Sequence, residues 1–238
     1  MKLWKLEIGF CLYLVSWLLV IMNIVILGPQ GSGKGTQAKM LSEKFGLEHI
    51  DMGKYLREVA RLNTPLGKEI YQIQNVTKTL VPSRILKEVL HIKLGDLPRE
   101  KGIAFDGVPR AIDQAEYLEE AMLEFGRIID RVIYIKLSAS ESIRRISKRR
   151  VCEKCKMVYI LGKDLKNKEE KCRKCGGKII QRIDDTPEGI KKRLRVFEGE
   201  TLPVISYFQE KGMVTEINGE QTVEEVFEDI LSELKDIE

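Results

Sequence analysis

One segment constrains this chain more than any other: "NIVILGPQGSGKGTQAKMLSEKFG", residues 23–46. Its opening, "NIVIL", is short, β-branched and apolar on both sides, as a strand buried in a parallel sheet must be. Its close, "TQAKMLSEKFG", puts Ala38, Leu41 and Phe45 at helical spacing and ends on Gly46, a helix stop. Between them lie Gly28, Gly31, Gly33 and Gly35, with Lys34. A strand that runs through bare backbone into a helix N-terminus aims free N–H groups and the positive end of the dipole at one spot, which makes an anion site. Gly28-x4-Gly33-Lys34 matches the P-loop pattern, in which amides wrap phosphates and the lysine reaches the outer ones. A plain strand–helix turn needs one glycine and no lysine. Gly31, Ser32, Gly33, Lys34, Gly35 and Thr36 are therefore candidate phosphate ligands. The pattern departs at one place: Gly35 stands where Ser or Thr usually follows the lysine. A hydroxyl directly on Mg2+ is not expected. The metal is expected to be held by nucleotide and water, with Asp106 reaching it through water.

The rest of the 238 residues alternates strand and helix patterns, which predicts a parallel sheet covered on both faces. Two stretches break the alternation. One, 51–81, reads as all helical; the other is rich in cysteine. Both are expected to lie over the ligand edge of the sheet. The expected fold is α/β, a P-loop doubly wound parallel sheet formed by 22–50, 82–148 and 186–238. A helical flap at 51–81 and a lid at 149–185 are inserted into it. "SESIRRISKRR" reads as a helix through Arg150. With 43% hydrophobic residues the chain can bury one sizeable core, and a net charge of +4 does not suggest a nucleic-acid coat. His49 and His91 match no motif and read as structural.

The first residues, "MKLWKLEIGFCLYLVSWLLVIM", set Lys2 and Lys5 before an apolar run. No small-residue cleavage site precedes Met22, and Ile8–Ile21 falls short of the about 20 residues a bilayer span needs. Extending the run to Leu27 would draw the P-loop strand into lipid. The expectation is that 1–21 stands outside the fold and that Met22 is the natural start; a membrane tether is the alternative.

Cys152-x2-Cys155 and Cys172-x2-Cys175 form a four-thiolate set with zinc-site spacing. Four protein ligands close a site, so the metal would be structural. Iron in the same cage, or two disulfides, are the alternatives, and a reducing compartment disfavours disulfides. "FDGVPR", 105–110, ends a strand on an acid and offers an arginine fork suited to phosphate.

"GPQGSGKGTQA", "DGVPRAIDQA", "RRISKRR", the paired C-x2-C insertion, "QRIDD" and "KKRL" occur in the order found in adenylate kinases of the zinc-containing, long-lid type. The chain resembles that family over 22–238. The resemblance implies reversible transfer of the terminal phosphoryl group of ATP to AMP, in a cytoplasmic monomer with structural zinc and Mg2+ carried by ATP. No nucleic acid or membrane partner is implied. It puts the ATP phosphates on the loop amides and Lys34, with Val158 and Tyr159 beside the ATP base and Gln221 touching it. It puts AMP against Met52, Arg57, Thr79, Leu80, Val81, Gly107, Val108, Pro109 and Arg110, with Gln114 on the adenine. Arg149, Arg182 and Arg193 would gather at the transferring phosphoryl group, and Arg182 and Arg193 would also meet AMP. Asp184 and Asp185 would sit at the lid's return. The family's usual "STGD" is here "DMGK", with Met52 in place of a threonine that helps select AMP. A kinase for UMP or CMP is thus the nearest alternative. A zinc-ribbon nucleic-acid binder switched by a P-loop is a more distant one.

Overall fold

The computed structural model describes residues 21–77, 81–167, 170–182 and 185–235. The apolar leader up to residue 20, Thr79, Leu80 and Asp184 lie outside the described residues. No helix among the described residues is long and apolar enough to cross a membrane.

The phosphate-loop strand β1 (Asn23–Leu27) is central. It pairs in parallel with β3 (Ile103–Asp106) and with β4 (Arg131–Lys136). Strand β2 (Glu48–Asp51) extends the sheet beyond β3, and β8 (Val214–Asn218) beyond β4, giving the order β2-β3-β1-β4-β8. Neighbouring side chains of β1 point to opposite faces. Val25 and Leu27 join Phe105 and Val132 in one core, packed against α4 (Ser83–Gly95), α5 (Ile112–Glu124) and α8 (Leu202–Glu210). Ile24 and Ile26 join Ala104, Ile133 and Ile135 in the other, against α1 (Lys34–Phe45) and α9 (Val223–Leu234). Burial on both faces is why the strand reads as an unbroken apolar run.

All five strands run the same way, so Leu27, Asp51, Asp106, Lys136 and Asn218 end on one edge. From β1 the chain passes to β2 on one side and later to β4 on the other. That reversal opens a crevice beside β1, where sheets of this kind take ligands. The stretch after β2 folds as α2 (Met52–Val59) and α3 (Pro65–Tyr71), continued by a wider π-helical turn over Gln72–Thr77. His91 on α4 faces Glu124 at 2.8 Å and the Phe125 ring edge-on, a structural setting as expected.

Helix α6 (Ala139–Lys148) stops two residues earlier than its charge pattern predicts. Arg149 and Arg150 instead open β5 (Arg149–Cys152), because their backbone pairs with β6 (Val158–Ile160). With β7 (Ile179–Ile180) these make a small antiparallel sheet that carries the cysteines. The chain rejoins the main body through α7 (Pro187–Val196), started by the Thr186 side chain accepting from Gly189 N.

Candidate active site

The phosphate loop ends at Gly33, whose φ of 90° is a conformation that glycine adopts without strain. No side chain caps α1, and its first turn holds no acid. Its leading amides are thus left for an external anion. Helix α6 supports the loop from behind: Ser142 donates to the Gln30 carbonyl, and a Cβ at Gly31 would meet Ile146 at 3.1 Å.

Lys34 reaches back to the Pro29 carbonyl at 3.4 Å. Burial lowers its pKa to about 8; Asp106 opposes that shift, and Arg110, Arg149 and Arg193 add to it. Four cations from four parts of the chain therefore share one field at the loop mouth. Asp106 closes β3, and burial raises its carboxyl pKa against the pull of Lys34.

Arg110 follows β3. Its Nε donates to the Gly107 carbonyl at 2.9 Å, its N–H to Gln114 Oε1 at 2.9 Å, and its carbonyl accepts from Thr201 Oγ1 at 3.1 Å. Gln114 Nε2 donates in turn to the Val81 carbonyl at 3.3 Å, so this amide joins two backbone segments of the cleft. Val108, ahead of the cis Pro109, is fully buried, so only backbone is available there to a ligand. Arg57 on α2 lies across Gly53, where a Cβ would meet its Nη1 at 3.2 Å. A Cβ on Gly107 would meet Arg110 Nη2 at 3.3 Å and Gly53 N at 3.8 Å. The two glycines thus let the first turn of α2 approach the turn after β3 closely.

Beside the small antiparallel sheet, Asp185 is buried and takes both arms of Arg149, at 2.8 and 2.5 Å, and Arg193 Nη2 at 2.8 Å. Burial alone would raise its pKa, but the hydrogen bonds and charges of the two arginines outweigh it and hold the carboxyl below its ordinary value. The Arg182 carbonyl accepts from Asp185 N at 3.0 Å.

The Sγ atoms of Cys152, Cys155, Cys172 and Cys175 lie within 4.8 Å of one another and could hold a metal ion. Sγ–Sγ separations of 3.5 Å (Cys152–Cys175) and 3.4 Å (Cys155–Cys172) exceed the about 2.05 Å of a disulfide. The two disulfides are therefore not formed. The knuckles repeat one geometry. Lys156 N donates to the Cys152 carbonyl at 3.0 Å and Gly176 N to the Cys172 carbonyl at 2.8 Å, with φ of 60° and 67° at the donors.

The family model for adenylate kinase matches residues 26–213. The chain belongs to the adenylate kinase family. It is similar to "Adenylate kinase" of Archaeoglobus fulgidus, 38% identical over 216 residues that cover 91% of this chain and 99% of the relative. The corresponding protein of Methanothrix thermoacetophila is 41% identical over 209 residues, 88% of this chain and 96% of the relative. That of Caldanaerobacter subterraneus subsp. tengcongensis is 39% identical over 209 residues, 88% and 94%. The enzyme's activity is that of its family, phosphoryl transfer between ATP and AMP.

Two sequence expectations need correction. Met52 is 1% exposed and packs in the core beneath α2, so its side chain is not offered to a nucleotide. Val158 and Tyr159 do not share a face. Val158 is exposed, while Tyr159 is buried with its hydroxyl 3.2 Å from Cys172 Sγ. That hydroxyl accepts from Arg173 N at 3.1 Å, which leaves its proton for the sulfur. This hydrogen bond leads the causes that lower the Cys172 pKa to about 6. The Asp185 clamp and the Ser142 support are features of the site that motif reading missed. Arg149 and Asp185 stand 36 residues apart, and only the charge types hinted at a pair.

Asp185 also makes a pH prediction. Its folded pKa is depressed, so its stabilising contribution is complete above the unfolded value of about 3.9 and is lost as pH falls below it. Asp185→Asn should lower the melting temperature at pH 7 and flatten the fall in stability between about pH 5 and 3. Parallel acid limbs in the two proteins, followed by thermal melting, would contradict this.

Proposed function

We propose that this enzyme is of the zinc-containing, long-lid type, with Lys34, Arg110, Arg149, Arg182 and Arg193 as its catalytic cations. The observation that supports this best is the shared field of Lys34, Arg110, Arg149 and Arg193 beside Asp106. Phosphoryl transfer asks little covalent work of a protein; it needs positioning and preorganised positive charge. In this reading the loop amides from Gly31 to Thr36 and Lys34 hold the ATP phosphates. Arg57 and Arg110 hold the AMP phosphate. Arg149, Arg182 and Arg193 meet the group in transit, and Asp185 keeps two of them aimed before substrate arrives. The backbones of Val81, Gly107, Val108 and Pro109, with Gln114, line the AMP side. Val158 and the Gln221 backbone lie toward the ATP base.

Mg2+ would arrive with ATP and neutralise phosphate charge, and Asp106 at the loop floor is the group that would hold its hydration shell. Residues 149–185 act as lid and 51–81 as flap, closing to keep water from the phosphoryl group. The four thiolates suit zinc. An ion with sulfur at about 2.3 Å sets tetrahedral ligands about 3.8 Å apart, close to the sulfur separations of 3.5 and 3.4 Å measured between the two knuckles. Reduced thiols suit a cytoplasmic enzyme. The body is read as a monomer.

The test is a coupled assay of ATP with AMP, UMP, CMP and GMP. AMP is expected to be preferred. Because Met52 is buried and brings no hydroxyl to the base, the margin over the other monophosphates should be narrow, about tenfold, the value of a small contact difference. Faster turnover of UMP or CMP would replace the adenylate reading with the pyrimidine one.

A further inference from the structure

Gly35 is the second residue of α1, in ordinary helical backbone. Glycine there costs about 0.5–1 kcal/mol of helix stability relative to alanine, so backbone conformation does not explain its presence. A contact does. A Cβ on Gly35 would lie 2.8 Å from Asp106 Oδ2 and 3.9 Å from Asp106 Cγ, and nothing else among the described residues outside its own neighbourhood comes within 4 Å.

We propose that Gly35 is a positioning residue for Asp106. Its missing side chain admits the Asp106 carboxylate to the first turn of α1, where phosphate loops of the G-x4-G-K-[ST] pattern carry a hydroxyl. The carboxylate cannot retreat cheaply. Asp106 is the last residue of β3, in register with Ile26 on one side and Asp51 on the other, and it is 9% exposed. Its side chain is short, so avoiding a new methyl group means leaving its place. The loop thus exchanges a hydroxyl that could ligate a metal directly for a carboxylate that takes hydrogen bonds from a metal's water. This exchange rests on the reading that Mg2+ enters with ATP. It predicts that Gly35 governs the preference for metal-bound over metal-free nucleotide.

Calorimetry on the full chain tests it, with ATP alone and with Mg2+ and ATP. Gly35→Ala should lower the ratio of MgATP affinity to metal-free ATP affinity about tenfold, the low end of what an outer-shell partner is worth, whatever the alanine does to the phosphate binding common to both. Its melting temperature should fall, although alanine is the better helix former. Adding Asp106→Ala should restore the melting temperature, since the collision is gone, and leave that ratio low. A Gly35→Ala enzyme with an unchanged ratio would overturn the proposal. So would a double variant no more stable than Gly35→Ala. An unchanged enzyme that binds no ATP would instead overturn the phosphate-site reading beneath it.

Discussion

Replacing Arg110 by lysine should lower kcat/KM for AMP about a hundredfold, or about 3 kcal/mol of transition-state stabilisation. The side chain is anchored through Nε to the Gly107 carbonyl, which leaves its two terminal nitrogens as a fork. Lysine offers one point charge and cannot hold the anchor and grip two phosphate oxygens together. Charge retention is the second difficulty. Burial lowers the pKa of Arg110, but arginine starts so high that it stays protonated. Lys34, in the same field, falls to about 8. A lysine at 110 would start lower than arginine and meet the opposing pull of Arg57 and Arg193 against Asp106 and Asp51, so the loss should deepen as pH rises toward about 9. The backbone of residue 110 is held by Gln114 and Thr201 independently of the side chain, so the melting temperature should change little. Steady-state kinetics from pH 6 to 9 measure this. Near-normal turnover in the lysine variant would remove Arg110 from the phosphate site.

What could be read from the sequence was what repeats locally. The strand, bare loop and helix of 23–46 announce themselves because each has its own period and its own punctuation. The zinc-type spacing and the carboxyl-end Asp106 are likewise short-range patterns. The misses come from pairing at a distance. Arg149 continues the charge pattern of α6, yet its backbone is taken by Ile160 across a hairpin. Strand alternation should have separated Val158 from Tyr159, since neighbours on a strand face opposite ways. Met52 stands at helical spacing from Leu56, which enters the same core, and that local signal is easily passed over because the rest of the core, Ile85 and Val108 among it, comes from other elements. Gly35 was visible as a departure, but its reason lies in β3, 71 residues later, at Asp106.

Removing the metal should have the largest effect on stability. Among the described residues of the lid, the buried apolar side chains besides the cysteines are Val151, Tyr159, Leu165 and Ile179. Each contributes about 1.5–3 kcal/mol by burial. Ordering residues 149–185 costs more conformational entropy than four such side chains return. A zinc ion on four thiolates adds to what that small core supplies, since its binding becomes folding free energy. Cys172→Ala breaks the cage and also strips the Tyr159 hydroxyl of its partner inside the lid. The sheet core, with its own two apolar clusters, should stay folded. The lid should loosen, and the melting temperature should fall by on the order of 10 °C, as about 3 kcal/mol does in a chain of this size. Phosphotransfer should survive in part at low temperature, because no thiolate is placed among the phosphate-binding cations. A strong chelator should reproduce the variant's behaviour in the unchanged enzyme and add nothing to the variant. Metal content, melting temperature and activity measured on the same samples decide it. A purified enzyme without bound metal would overturn the structural-zinc reading, as would a Cys172→Ala enzyme of full stability that has lost all turnover.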